Sequence, residues 1–252
     1  MKIVIGNWKM HLSVRESVAL ARGSILFLRG KTTAPEIILC PTFTALSEVQ
    51  KVLSRSRVKM GAQDLFWETA GAYTGEVSPR QIKDVGCSYV IIGHSERRHQ
   101  MGETDEMVGK KVTAALAAGI TPIICVGETK EEREEGNQEA VIKRQIKAAL
   151  AGIKLSSKES IIFAYEPVWA IGTGNPAMPA DAVAMHALIR ASAVAAGIKT
   201  AQVKVLYGGS VDKKNAYSFL REPEVDGVLV GGASIKLAEF EGILKTALDV
   251  QS

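Results

Sequence analysis

Ile120-Thr121-Pro122-Ile123-Ile124-Cys125-Val126, then a helically spaced stretch over residues 137–151 that stops at Gly152, then Ser160-Ile161-Ile162-Phe163-Ala164, make one strand–helix–strand unit. The two apolar runs are β-branched and apolar throughout, the pattern of parallel strands buried on both faces, which need a crossover helix between them. Working outward, the same unit repeats along the chain with a period of about thirty residues. Strands are predicted over residues 2–6, 36–40, 58–62, 89–92, 120–126, 160–164, 203–207 and 227–230. Helices are predicted over 13–28, 44–53, 103–118, 137–151, 180–196 and 235–248. Ser13 and Thr44 are expected as helix caps, Asp181 falls early in its helix, and Gly119, Gly152 and Gly197 are expected as stops. Eight such units in 252 residues point to an α/β fold, a (β/α)8 barrel of eight parallel strands ringed by helices. A doubly wound open sheet is the alternative that the pattern leaves standing. No linker or low-complexity block divides residues 1–252, so a single domain is expected.

Composition narrows the function classes. The chain is 46% hydrophobic and 23% charged, which excludes a disordered protein. Its 31 basic and 27 acidic residues are spread along the length, giving +4 without the basic stripe of a nucleic-acid binder, so a small anionic ligand is the easier partner. No window reaches the roughly 18 uncharged apolar residues of a membrane span, and Met1-Lys2-Ile3-Val4-Ile5 turns polar too soon for a signal peptide. A cytoplasmic protein is expected, with no membrane and no nucleic-acid partner. Cys40, Cys87 and Cys125 are odd in number, far apart and without metal-ligand spacing, so buried reduced thiols are expected, and no metal. The run Lys130-Glu131-Glu132-Arg133-Glu134-Glu135 is read as a solvated helix start.

In such a barrel the loops after the strands converge on one face, so strand-end polar residues meet there. The strand ends present Asn7-Trp8-Lys9, His94-Ser95-Glu96-Arg97, Glu166, Gly208-Gly209-Ser210 and Gly231-Gly232-Ala233-Ser234. The last two lie after strands seven and eight, where glycines let backbone N–H groups approach a phosphate. Glu166, extended because Pro167 follows it, is a candidate general base or else a salt-bridged rim residue. His94 lies where an apolar strand passes into a charged helix, which favours a neutral imidazole that donates a hydrogen bond; the alternative is a core histidine. Lys9 supplies a cation for an oxyanion or an anionic substrate, or else a solvated rim charge. His11, His99 and His186 have no converging partners and are read as structural. Gly172-Thr173-Gly174 lacks the third glycine and the acidic partner of a dinucleotide fingerprint, so no nicotinamide cofactor is expected. Base, neutral electrophile, cation and phosphate cradle together suggest proton abstraction beside a carbonyl in a small phosphorylated molecule.

In order, the segments Gly6-Asn7-Trp8-Lys9-Met10, Ile92-Gly93-His94-Ser95-Glu96-Arg97-Arg98, Cys125-Val126-Gly127-Glu128-Thr129, Ala164-Tyr165-Glu166-Pro167-Val168-Trp169-Ala170-Ile171-Gly172-Thr173-Gly174, Tyr207-Gly208-Gly209-Ser210-Val211 and Val230-Gly231-Gly232-Ala233-Ser234 closely resemble the triosephosphate isomerase family. They span the chain from the first predicted strand to the last. The resemblance implies reversible isomerisation of dihydroxyacetone phosphate and D-glyceraldehyde 3-phosphate through an enediol or enediolate, in glycolysis and gluconeogenesis, without a cofactor. It implies Glu166 as the proton-shuttling base, a neutral His94 as electrophile, and Lys9 with Asn7 binding substrate and stabilising charge. A glutamate base beside a neutral histidine is the well-characterised arrangement of this family. Backbone at Gly172, Ser210, Gly231 and Gly232 would hold the phosphate, with Glu96 and Cys125 in support. Residues 167–177 resemble a mobile lid, whose second hinge reads Asn175-Pro176-Ala177 where relatives often carry Lys-Thr-Ala. Residues 64–78 resemble a loop that docks into a second subunit, which implies a homodimer with Thr74 supporting the neighbour's Asn7 and Lys9. Asp64 stands where relatives often carry Asn and brings an added charge. The rivals are another phosphosugar barrel enzyme, which would need a Schiff-base lysine or a metal cluster, and a silent phosphate-binding barrel.

Overall fold

The computed structural model describes residues 1–171 and 177–251. Eight strands alternate with helices: β1 (Ile3–Asn7), α1 (Val14–Phe27), β2 (Glu36–Cys40), α2 (Leu46–Leu53), β3 (Lys59–Ala62), α3 (Pro79–Asp84), β4 (Tyr89–Ile92), α4 (Ser95–Gln100), α5 (Asp105–Ala117), β5 (Thr121–Val126), α6 (Lys130–Glu134), α7 (Gln138–Ala149), β6 (Ile161–Tyr165), α8 (Pro179–Ala195), β7 (Val203–Tyr207), α9 (Ala216–Leu220), β8 (Gly227–Val230) and α10 (Leu237–Asp249). Every strand pairs in parallel with its sequence neighbours, and β8 returns to β1 with Ile3 opposite Gly227. The sheet is therefore closed, which settles the barrel against the open doubly wound sheet.

The alternation of side chains along each strand builds two apolar layers. Ile3, Ile5, Ile38, Ile91, Ile123 and Leu206 point into the barrel with Cys40 and Cys125. Val4, Ile37, Leu39, Val90, Ile124 and Phe163 point outward, into the layer shared with the helices. Both faces of each strand are buried, which is why the strands read as unbroken apolar runs rather than as alternating ones. At about 1.5–3 kcal/mol for each large apolar side chain removed from water, these layers supply the main driving force for the fold.

The strands agree with their predicted spans to within a residue or two. Ser13 caps α1 in a reciprocal capping box with Glu16. Thr44 is not a cap: it lies inside a 3-10 turn, Phe43–Ala45, that precedes α2, and its hydroxyl pairs with Thr42. Gly119, Gly152 and Gly197 follow their helices with φ of 66°, 74° and 93°, the left-handed region that glycine enters without penalty. The charged run at 130–135 does open a helix, capped by Thr129, but it is not wholly solvated, because Arg133 turns in to the buried carboxylate of Glu128. All three cysteines are buried free thiols. No helix among the described residues is long and apolar enough to cross a membrane.

Candidate active site

The strand-end residues gather at the C-terminal mouth of the barrel around a cavity of about 470 Å³. Asn7, Lys9, His94, Ser210, Gly231 and Gly232 are among the residues that line it. A groove of about 1080 Å³ lies on the outer surface between α3, α5 and α7, but none of the strand-end residues borders it. The smaller cavity is the one where chemistry converges, and it is taken as the site.

Lys9 reaches the cavity through an unusual backbone. Its φ is +50°, the single positive value at a non-glycine residue among the described residues. Such a conformation costs about 1–3 kcal/mol and persists only when its surroundings enforce it. The enforcement is visible: the Lys9 N–H donates to Asn7 Oδ1 at 3.1 Å, and Gln63 Nε2 donates to the carbonyls of Lys9 and Cys40, both at 2.9 Å. The ammonium then pairs with Glu96 Oε1 at 2.5 Å. Asn7 thus orients Lys9 as well as lining the cavity.

His94 caps the first turn of α4, and its Nδ1 accepts the Glu96 N–H at 3.2 Å. An accepting Nδ1 leaves the ring hydrogen to Nε2. Nε2 lies 3.3 Å from Glu166 Oε1. Glu166 is 2% exposed, and its Oε2 accepts the Ser95 N–H at 2.8 Å. The carboxylate is therefore parked on α4, and its other oxygen, Oε1, has no hydrogen-bond partner. Cys125 lies beside it, and burial together with that carboxylate pushes the thiol well above its ordinary range, so it acts as a neutral neighbour.

The two glycines after β8 differ in the room around them. A side chain at Gly231 would crowd Lys9 Cε at 3.3 Å, whereas Gly232 opens onto free space at the start of a 3-10 turn, Gly232–Ile235. Ser210 donates its hydroxyl to the Ala170 carbonyl at 2.7 Å, tying β7 to the segment after Glu166. Gly172 and the hinge residues Asn175 and Pro176 lie outside the described residues. Of the remainder of the predicted lid, Val168–Ala170 form a 3-10 turn and Trp169 Nε1 donates to Glu128 Oε1 at 2.9 Å. Glu128 is fully buried and also accepts from Tyr165 and Arg133. At the far end the Ala177 N–H donates to the Tyr207 hydroxyl at 3.1 Å. Burial drives the Tyr207 phenol up to about 12, so it stays neutral there.

Asp64, whose added charge is expected to alter the electrostatics of the subunit interface, is 5% exposed and turned inward within its own chain. It pairs with Lys111 at 2.7 Å and with Arg97 at 2.9 Å, and both cations also reach Glu103. Two acids and two bases cancel inside the protein. Burial pushes the Asp64 carboxyl up, and Lys111 and Arg97 pull it back. Among the described residues no group of three His, Cys, Asp or Glu side chains is placed to hold a metal.

Comparison with known proteins shows the family. The sequence model of the family described as triosephosphate isomerase matches residues 2–247. The chain belongs to the triosephosphate isomerase family. A triosephosphate isomerase of Herpetosiphon aurantiacus is 47% identical over 245 residues, covering 96% of this chain and 98% of that protein. One of Dictyoglomus thermophilum is 45% identical over 247 residues, covering 97% and 99%. The crystal structure of triosephosphate isomerase from Bartonella henselae superposes with a TM-score of 0.86 at 36% identity, over 97% of this chain and 98% of that one. Within the triosephosphate isomerase family frame, sequence reading missed Gln63, Ser95 as a backbone donor, and the role of Glu128. A glutamine or a fully buried glutamate beside a strand end is the available signal, and burial is not visible in one sequence.

Proposed function

We propose a division of labour among these residues for the family's reaction, which the chain carries out: the reversible isomerisation of dihydroxyacetone phosphate and D-glyceraldehyde 3-phosphate, a step of glycolysis. Glu166 removes a proton from the carbon beside the carbonyl and returns it to the adjacent carbon. His94, with its proton on Nε2, donates to the two substrate oxygens in turn as the enediolate forms and collapses. Lys9, aimed by Asn7 and paired with Glu96, stabilises the developing negative charge and attracts the phosphate. Backbone at Ser210, Gly231 and Gly232, with Gly172, holds the phosphate. Cys125 fills space beside the base. The lid expected over residues 167–177 keeps water from an enediolate that would otherwise lose phosphate.

The observation that carries this reading is the approach of Glu166 Oε1 to His94 Nε2 at 3.3 Å, at the rim of a cavity lined by Lys9, Asn7 and the glycines. Its test is a coupled assay of D-glyceraldehyde 3-phosphate isomerisation, with no metal or cofactor added, on the wild type and Glu166→Gln. The variant is expected to lose on the order of 10³ in kcat while still binding inorganic phosphate. Full activity in a folded Glu166→Gln would remove Glu166 as the base.

The active form is a homodimer on this reading. Met10, Phe43, Tyr73 and Met101 are exposed large apolar side chains, and all four lie after strands β1 to β4, on adjoining loops of the same face. Such a group suits a partner surface. Residues 64–78 would enter the second subunit, bringing Thr74 beside the neighbour's Asn7 and Lys9. The ring of all eight strands supports one domain over residues 1–252, and buried free thiols suit a reducing, cytoplasmic setting.

A further inference from the structure

Beyond Val126, the last residue of β5, the chain keeps running alongside the segment that carries the base. The Glu166 N–H donates to the Val126 carbonyl at 2.8 Å, and the Val168 N–H to the Glu128 carbonyl at 3.1 Å. In a parallel ladder the peptide groups of successive residues face opposite neighbours. Those of Gly127 therefore face away from β6, toward the side of β4, and β4 has already ended at Ile92 and turned through Gly93 into α4. Two buried peptide groups at the edge of the site are left without a strand to pair with.

The side chain of Gln145, from α7, takes that place. Its Oε1 accepts the Gly127 N–H at 2.9 Å, and its Nε2 donates to the Gly127 carbonyl at 3.1 Å. Gln145 is 5% exposed, so water does not compete for these bonds. A primary amide offers a donor and an acceptor in one plane, the match for a peptide's own pair, and it does so without burying a charge. On its other side Gly127 rests directly on the base's backbone: a Cβ at residue 127 would stand 1.8 Å from the Glu166 carbonyl oxygen and 2.6 Å from its carbonyl carbon. A displacement of Gly127 is passed straight to Glu166.

We propose that Gln145 is a positioning residue for the isomerisation: by pairing with both peptide groups of Gly127 it fixes the surface on which the Glu166 backbone is seated, and so sets where the carboxylate meets the substrate. It rests on the reading of Glu166 as the base. Gln145 touches no substrate; it acts through Gly127, and a proton-transfer geometry is sensitive to shifts of about 1 Å, worth about 10²-fold in rate.

The test uses the full chain as wild type, Gln145→Met, Gln145→Glu and Glu166→Gln, with inorganic phosphate as the competitive probe of the binding site. Gln145→Met keeps the length of the side chain and removes both hydrogen bonds. It is expected to lose at least about fivefold in kcat, with the KM and the phosphate inhibition constant within about threefold of wild type. In Gln145→Glu the carboxyl can both donate and accept only while protonated, and burial favours that form. Its kcat relative to wild type is therefore expected to rise as the pH is lowered from about 8 to about 6. A folded Gln145→Met with a smaller loss in kcat, or with phosphate binding weakened beyond threefold, overturns the proposal. If Gln145→Met does not fold, the pH profile of Gln145→Glu decides, and a flat ratio to wild type overturns it. Unimpaired turnover by Glu166→Gln would refute the base itself, an outcome distinct from unimpaired turnover by Gln145→Met.

Discussion

Acid should destabilise this barrel through one histidine away from the catalytic mouth. His186, on α8, is completely buried; its Nδ1 pairs with the Glu224 carbonyl at 3.2 Å, so Nδ1 is the donor, and its Nε2 has no partner. Burial drives the imidazole from 6.5 down to about 4. The nearby charges divide, with Arg190 and Lys2 opposing protonation and Asp226 favouring it. Because the folded form resists the proton that the unfolded chain accepts, the unfolded state binds more protons between these two values, and stability falls as the pH is lowered. The loss begins below about pH 6.5 and is complete near pH 4. At about 1.4 kcal/mol for each pH unit between the two values, it amounts to about 3 kcal/mol. The assay is urea unfolding at a series of pH values and one protein concentration, since an oligomer's stability depends on concentration. His186→Asn retains an amide N–H for the Glu224 carbonyl but cannot titrate. It is expected to be less stable than wild type at neutral pH by about 1–2 kcal/mol, because the smaller side chain leaves a void. Its stability should then fall less steeply, so that the difference from wild type shrinks or reverses by pH 4. Parallel stability curves for the two proteins between neutral pH and pH 4 would refute the argument.

Other outcomes follow from the site. In Gly127→Ala the new Cβ must move at least 1.2 Å from its 1.8 Å approach to the Glu166 carbonyl oxygen before it reaches the 3.0 Å that real Cβ atoms respect; kcat should fall by about 10²-fold, and wild-type turnover in a folded variant would contradict the seating of Glu166 on Gly127. Lys9→Met should weaken inhibition by inorganic phosphate about tenfold while changing stability by no more than about 1 kcal/mol, because the Lys9–Glu96 pair is partly solvated. Undiminished phosphate binding would remove Lys9 from the cradle. Sedimentation should show a dimer, and Tyr73→Asp with Met101→Asp a monomer of reduced activity; a fully active monomer would deny the neighbour's Thr74 any role.

Much of the fold was legible because its signals are local. β-branched runs such as Ser160-Ile161-Ile162-Phe163-Ala164 state both the strand and its burial on two faces, and Gly119 and Gly152 mark helix ends through φ values that other residues avoid. The helix over 44–53 was blurred because a 3-10 turn and an α-helix share the same apolar spacing for one turn. Short α3 and α9 carried too few residues to show a period. At the site, Glu166, His94, Lys9 and Asn7 were visible as polar residues punctuating apolar strands. Gln63, Gln145 and Glu128 were not, because a polar residue in a helix or loop looks solvated until its burial is known. Arg133 shows the same limit: within a charged run it reads as exposed, yet it lies 3.2 Å from the buried Glu128.

Order along the chain, the repeat of strand and helix, and the chemical types of the strand-end groups are properties of the sequence itself, since backbone preference and apolar spacing act over a few residues. Closure of β8 onto β1, the approach of His94 to Glu166 from different strands, the inward turn of Asp64 onto Lys111, and the seating of Gly127 between Gln145 and Glu166 belong to the tertiary structure alone. Each depends on packing between residues distant in sequence, and it is there that desolvation gives a hydrogen bond or a charge its strength and direction.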